Sequence, residues 1–250
     1  IGILSEIIND NGNVANAKDL QAFSKKHNIK MITILDLIAY KKLQRSKKIH
    51  QTSITHITTA MLPTKYGTFQ IHIYKSFDNQ EHAALVLGDM SKQPVTVRIH
   101  SQCFTGDTLF SLRCDCREQL EKSIKVIGKT GGAILYLNQE GRGIGLVNKI
   151  KAYALQETGL DTVEANRSLG FAPDLRDYNI AADMLKDFNV SKINLLTNNP
   201  RKIEQLTTYG ITVVKRIPLE ITPNKFNKTY LNTKKQKLRH QLHSYFSLEK

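Results

Sequence analysis

The chain has 250 residues, 40% of them hydrophobic and 23% charged, with three cysteines and no tryptophan. That composition suits a globular protein large enough for a sizeable core. No apolar run approaches a membrane span and no secretory leader is visible, which argues against a helical membrane protein and, with free thiols, places the chain in a reducing cytoplasm. Lys and Arg number 36 against 22 Asp and Glu, a formal +14. Such an excess suggests a polyanionic partner, nucleic acid or a phosphorylated small molecule, although most of these lysines read as solvated surface.

In chain order, Ile1 to Ile8 reads as a buried strand, followed by a helix over Ala17–His27, a strand at Lys30–Ile34 and a helix opened by Asp36. These units are too few to bury a core and read as the end of a domain whose beginning is missing. The basic stretch Lys41–Lys48 reads as a linker. From Ser53 to His100, β-rich runs (Phe69–Tyr74, Ala83–Leu87, Val95–Ile99) alternate with turn residues, which predicts an antiparallel meander. Beyond the cysteines, helices and strands alternate. Leu120, Ile124 and Ile127 mark one helix face, and a strand follows at Ala133–Leu137. Leu146, Ile150, Tyr153 and Ala154 mark a second helix face. Ala181, Met184, Leu185 and Phe188 mark a third, ahead of a strand at Lys192–Thr197. The expected fold class is α+β, with an antiparallel β-rich first half. The run Lys234–Arg239 reads as a basic tail.

All three cysteines fall between Cys103 and Cys116, as Cys103-x10-Cys114-x-Cys116. An odd, clustered set argues against a disulfide framework. Three buried structural thiols would satisfy the pattern, and so would a three-thiolate metal site. Zinc suits the second reading better than an iron–sulfur cluster, which normally takes four protein ligands. Three thiolates leave a fourth tetrahedral position open, as in catalytic sites, where the metal lowers the pKa of water and polarises an electrophile. Arg113 and Arg117 flank the pair and would favour thiolates, and Gly106 and Asp107 supply the turn that lets Cys103 face it.

Three further segments could carry chemistry. Asn138–Leu146 turns from a strand through glycines into a helix. There Gly141 permits close backbone approach, Arg142 attracts an anion, and Glu140 suits magnesium or an amine; many such turns are only loops. In Gly170–Tyr178, Asp174 and Arg176 precede a helix and could place a proton acceptor and a cation in one cleft, or form a surface ion pair or cap. In Leu196–Lys202 a strand runs into a polar turn and a new helix, where Thr197 and Lys202 could hold a ribose or phosphate oxygen. Tyr153 and Thr162 carry no signal of their own.

Taken together and in this order, the motifs from about Thr52 to Leu242 resemble GTP cyclohydrolase II. The resemblance implies an α+β fold, one zinc ion per subunit, magnesium with the triphosphate and a homodimer. It also implies conversion of GTP to a diamino-ribosylamino-pyrimidinone 5′-phosphate, formate and pyrophosphate. By the same resemblance Cys103, Cys114 and Cys116 are the zinc ligands, Asp174 the proton acceptor, Arg176 the nucleophile towards the α-phosphate, and Tyr153 an active-site tyrosine. GTP would be held by Arg98, Ile99, His100, Ser101 and Gln102, by Gln119, by Glu140, Gly141 and Arg142, and by Thr162, Thr197 and Lys202. A guanidinium is protonated at nearly any working pH, so transition-state stabilisation is an equal reading of Arg176.

Two positions depart from the family: Gln102 stands where Glu is common, and Arg117 where Gly is frequent. The segment 1–48 resembles the C-terminal end of 3,4-dihydroxy-2-butanone 4-phosphate synthase with a linker, Ser5-Glu6 matching that family's late glutamate, ahead of a cyclohydrolase domain over 49–250. One residue of a site predicts no synthase activity and a poorly packed start. The competing reading is a catalytically weakened assembly partner of another riboflavin enzyme, supported by Gln102 alone. A nucleic-acid-binding module has only the charge in its favour, with aromatic content at 7%.

Overall fold

The computed structural model describes residues 5–9, 11–38, 40, 53–172 and 174–242, which fall into two compact units, 1–51 and 52–250. In the first unit, helix α1 (Ala17–His27) is set by a reciprocal cap: the Asn16 side chain accepts from Lys18 N and Asp19 N, and Asp19 accepts from Asn16 N. Asn28 ends it in the left-handed conformation. The expected strand at Lys30–Ile34 is absent. Thr33 and Asp36 form a second reciprocal cap that starts a helical turn at 34–38, so Asp36 lies inside the first turn rather than opening it. The expected first strand is reduced, among described residues, to one isolated bridge between Ile8 and Val14, with Ile8 62% exposed. Ala15 is the one buried hydrophobic residue described in this unit, so its apolar side chains are not enclosed. The stretch 41–48 read as a linker lies outside the described residues.

The second unit is built on one seven-stranded sheet. Its strands are β1 (Ile54–Thr64), β2 (Gly67–Ser76), β3 (Glu81–Leu87), β4 (Val95–Ser101), β5 (Gly132–Leu137), β6 (Lys192–Leu196) and β7 (Thr212–Ile217), in the order β1-β2-β3-β5-β4-β6-β7. β1, β2 and β3 form the expected antiparallel meander, and β3 continues antiparallel onto β5. β4 does not belong to the meander: it inserts between β5 and β6 and is parallel to both. Antiparallel neighbours need only a short turn, whereas parallel neighbours need a crossover. The cysteine segment and helix α2 (Cys116–Thr130) supply the crossover from β4 to β5.

Helices cover both faces, and the alternation along β5 shows it. Ala133, Leu135 and Leu137 join a core with Tyr178, Ala181, Met184 and Leu185 of the α5 region (α5, Asn179–Asp187), while Ile134 joins Phe69, Ile127 and Leu196 on the side of α2. Central, doubly covered strands read as nearly continuous apolar runs, and Gly132–Leu137 does. The mixed α/β result preserves the expected fold class, with parallel strands concentrated in the second half.

Candidate active site

The parallel strands β4, β5 and β6 end on one side of the sheet, the usual position for a ligand cleft. A cleft there holds about 1110 Å³ of empty space, part of it open to solvent. Of the site positions singled out in the sequence, all but Ile99 and Asp174 line it. Ile99 is fully buried and contributes its carbonyl, which accepts from Lys202 Nζ at 2.7 Å. Asp174 stands behind Arg176.

Each wall follows from local sequence. After β4 the chain makes a tight turn over Phe104–Thr108 and a bend to Cys114 before α2 begins at Cys116. After β5, Glu140–Gly143 forms a short turn leading into α3 (Gly145–Glu157). Within it Arg142 is held at φ 63°, a left-handed backbone that costs a non-glycine residue about 1–2 kcal/mol. Helix α4 (Thr162–Ser168) opens on a reciprocal cap between Asp161 and Glu164, which puts Thr162 at its first position. After β6, Asn199 caps α6 (Pro200–Thr208), proline at its start, and sets the 4% exposed Lys202 one turn in. Helix α7 (Lys228–Lys237) adds Tyr230 and Lys234.

The three thiols lie with their sulfurs within 4.8 Å of one another. Cys103 Sγ and Cys114 Sγ are 3.7 Å apart, and two sulfurs on one tetrahedral zinc at ~2.3 Å each would be roughly 3.8 Å apart. Gly106 packs against them: a Cβ there would lie 2.8 Å from Cys114 Sγ and 3.1 Å from Cys103 Sγ. The donor set, spacing and tight packing fit a divalent metal. Hydrogen bonds from the other two thiols pull the Cys103 pKa well down, while the hydrogen bond with Cys103, then burial, pushes Cys114 up to about 12 against the opposing contact with Cys116. The cation beside the sulfurs is Lys149, whose Nζ is 3.2 Å from Cys103 Sγ. Arg113 and Arg117, expected to serve there, are engaged elsewhere: Arg113 pairs with Glu157, and Arg117 donates to the Asp107 carbonyl and lies 3.8 Å over the Phe110 ring.

Glu140 is likewise committed. It accepts from Lys149 Nζ at 2.8 Å and from the backbone N–H groups of Phe104 and Gly141, so it ties α3 to the cysteine turn rather than offering a free carboxylate for magnesium. The face of α3 turned inward is therefore Lys149 and Ala152, with Tyr153 beside them donating to or accepting from Thr105 Oγ1 at 3.2 Å. Of the apolar face read from the sequence, Tyr153 lies on this side, whereas Leu146 and Ile150 are 38% and 47% exposed. Asp107, a turn residue in sequence, is a structural hub of the cysteine segment. Its carboxylate receives His100 Nε2 at 3.1 Å, Tyr136 Oη at 2.8 Å and Cys103 N at 3.0 Å.

Cations surround the rest of the cleft. Arg98 donates to the Leu196 carbonyl and to Gln119 Oε1, and burial lowers its pKa to about 10. Burial, then the charges of Arg98 and Arg176, pushes Lys202 well below its usual value. Arg176 makes two side-chain hydrogen bonds to Asp174, 2.9 and 2.7 Å. Burial alone would raise the Asp174 pKa, but Arg176 outweighs it and brings it to about 2. That pair therefore stabilises the fold fully above the ordinary carboxyl value of 3.8 and loses its contribution as pH falls through about 2. The backbone of this loop is tied to the glycine turn by Leu175 N donating to Arg142 O. Among the described residues, several buried polar atoms in the cleft have no protein partner: Arg98 Nε, His100 Nδ1, Ser101 Oγ and both terminal nitrogens of Arg142. Buried polar atoms normally have partners, so this set is shaped for a polar ligand.

The GTP cyclohydrolase II family matches residues 55–218, and the 3,4-dihydroxy-2-butanone 4-phosphate synthase family matches residues 1–40. The "Riboflavin biosynthesis protein RibBA" of Aquifex aeolicus is 51% identical over 243 residues, 96% of this chain and 58% of that protein. Its namesake in Chlorobium phaeovibrioides is 51% identical over 245 residues, 97% of this chain and 58% of that protein. The chain thus spans 58% of the length of these curated relatives. A crystal structure of RibBX, a two-domain 3,4-dihydroxy-2-butanone 4-phosphate synthase from A. baumannii, covers 76% of this chain and 46% of its own at 23% identity and a TM-score of 0.37, a likeness too weak to carry an argument.

Proposed function

The chain belongs to the GTP cyclohydrolase II family, and from that premise we propose that it opens the imidazole ring of GTP. The products are 2,5-diamino-6-ribosylamino-4(3H)-pyrimidinone 5′-phosphate, formate and pyrophosphate, in the first step of riboflavin biosynthesis. The observation that carries this reading is one cleft lined by three gathered thiols, by buried Arg98 and Lys202, and by half-buried Arg142 and Arg176. Cys103, Cys114 and Cys116 would hold zinc, which when bound supplies Lewis acidity and a water of lowered pKa for attack on a purine carbon.

The chain's own residues bind and orient the nucleotide. The unpartnered donors of Arg98 and Arg142, with His100 Nδ1 and Ser101 Oγ, are available to base, ribose and phosphate oxygens. Gln102, Gln119, Thr162 and Thr197 complete the lining, and Tyr153, its pKa raised by burial to about 12, stays a neutral hydroxyl beside the thiols. Magnesium accompanies the triphosphate in this reading. Glu140, which Lys149 already holds, would not be free to hold it.

Asp174 and Arg176 act as one unit. A carboxylate with a pKa of about 2 is a weak base at neutral pH, and its service is to aim the guanidinium. Burial works against the charge of Arg176, but Tyr178 and Asp174 more than offset it, so the side chain stays a cation. It would stabilise charge developing at the α-phosphate instead of attacking it. Arg176→Lys is expected to keep pyrophosphate release within roughly tenfold of the parent, because the positive charge survives and only the fork geometry is lost. Complete loss of pyrophosphate with formate retained would favour the covalent role.

A homodimer fits the exposed apolar surface that Leu146, Val147 and Ile150 form on α3. A reducing cytoplasm fits three unpaired cysteines. The test is zinc-loaded protein with magnesium and GTP, formate and pyrophosphate being assayed separately beside Cys114→Ser. Both products are expected from the parent, and formate is lost in the variant. A zinc-bound parent that releases neither would instead support the weakened assembly partner, with Gln102 as the first position to restore to Glu.

A further inference from the structure

Helix α7 reaches the cleft from beyond residue 218, where the match to the cyclohydrolase family stops. Lysines crowd its last turn, yet Lys234 is only 8% exposed. Lys234 Nζ lies 2.6 Å from Oδ1 of Asp115, itself 2% exposed and placed between Cys114 and Cys116. Asp115 precedes α2 at the position where an Asp side chain ordinarily accepts from the helix's own first N–H groups. It makes no such bond here. The carboxylate turns to Lys234 on one side and accepts from Gln119 Nε2 at 2.6 Å on the other. Gln119 Oε1 then accepts from Arg98 at 2.7 Å, and Arg98 donates to the Leu196 carbonyl at 3.0 Å. A local cap has been exchanged for a hydrogen-bonded line from the C-terminal helix, through the thiol loop, to the sheet.

We propose that Lys234 is a positioning residue which, through Asp115, fixes the loop bearing Cys114 and Cys116 and, through Gln119, the guanidinium of Arg98. The C-terminal helix is on this account a working part of the active site. Tyr230 strengthens the arrangement, its ring lying 4.4 Å from the Lys234 ammonium and 5.7 Å from the Arg142 guanidinium. Removing Lys234 leaves a buried carboxylate with one partner fewer, and a buried charge in that position pulls its neighbours out of place. The substrate side of the proposal rests on the function proposed above; the metal side does not.

The test uses the full chain, zinc-loaded, as the parent, Lys234→Met, Lys234→Arg and Lys237→Ala. The last removes a surface pair with Asp161 and Glu164 on the same helix. Two quantities are read: the rate of zinc transfer to a chromogenic chelator, and KM and kcat for GTP from formate release. Lys234→Met is expected to lose zinc about tenfold faster and to raise KM about tenfold with kcat within about threefold, the scale seen when a group supporting a metal ligand is removed. Lys234→Arg should restore both values, and Lys237→Ala should leave both near the parent. Unchanged zinc transfer in Lys234→Met overturns the proposal, as do equal losses in Lys237→Ala, which would assign the effect to helix attachment. If Lys234→Met does not fold, Asp115→Asn breaks the same ion pair and is read the same way. A parent that holds zinc but releases no formate refutes the proposed function while the chelator rate still decides the role of Lys234. A parent that binds no zinc overturns both.

Discussion

On the proposed function, Gly106→Ala is expected to leave the thiol cluster unable to hold zinc and to lower formate release by roughly a hundredfold, the upper range for disturbing the surroundings of metal ligands. The cause is space. A methyl group on Gly106 would meet Cys114 Sγ at 2.8 Å, Cys103 Sγ at 3.1 Å and Cys116 Cβ at 3.2 Å, so one added carbon presses on all three ligand residues. None can retreat freely, because Cys103 N is held by Asp107 and Asp115 anchors the loop between the other two. The sulfurs must spread, and a tetrahedral ion tolerates little spreading. Zinc content per chain by atomic emission, with formate release on the same sample, checks this. Stoichiometric zinc with parental turnover would show that the turn relaxes around the methyl and that Gly106 is not required for packing.

Lys149→Met should destabilise the second unit by about 3–5 kcal/mol at neutral pH, the usual cost of removing one partner of a buried ion pair. Lys149 and Glu140 are 9% and 8% exposed and bonded at 2.8 Å, and methionine nearly preserves the volume of the lysine stem. The loss therefore reports the stranded carboxylate. Adding Glu140→Gln should recover more than half of it, because the side chain keeps its shape without the charge. Urea unfolding of the single and double variants measures both numbers. A single variant within about 1 kcal/mol of the parent would mean that water reaches Glu140 and that the pair is not buried in solution. Activity should fall as well, since Lys149 is the cation nearest Cys103 Sγ and three thiolates exceed the charge of a divalent ion by one.

Much of this site was legible in the order of its motifs, and the omissions share a physical cause. Cysteine spacing and strand-end loops are local signals, and they brought Cys103, Cys114, Cys116, Arg142, Arg176 and Lys202 to one cleft. Long-range pairing leaves no local mark. β4 read as a fourth meander strand because nothing near residue 95 announces a parallel partner at Ile193. Apolar periodicity in α3 marks Leu146 and Ile150 together with Tyr153, but the inward side is the cleft, where Lys149 and Tyr153 belong and Leu146 does not. Lys234 was lost among its neighbours, since a lysine run does not reveal which member meets a buried carboxylate 119 residues earlier.

The insertion of β4 between β5 and β6 also sets the order in which the molecule can assemble. β1 to β3 are joined by short turns and can pair as soon as they exist, as local contacts do. β4 has no neighbour until β5 is made, and its other edge stays open until β6 arrives, with Val95 beside Ile193. The bonds that shape the cleft are later still: Arg98 to Leu196, Ile99 to Lys202 and Asp115 to Lys234 each span about a hundred residues. During synthesis the cysteines leave the ribosome long before the residues that will hold their loop. The ligand-bearing loop is thus made before the partners that enclose it, and the site can close only when the last third of the chain has joined the sheet.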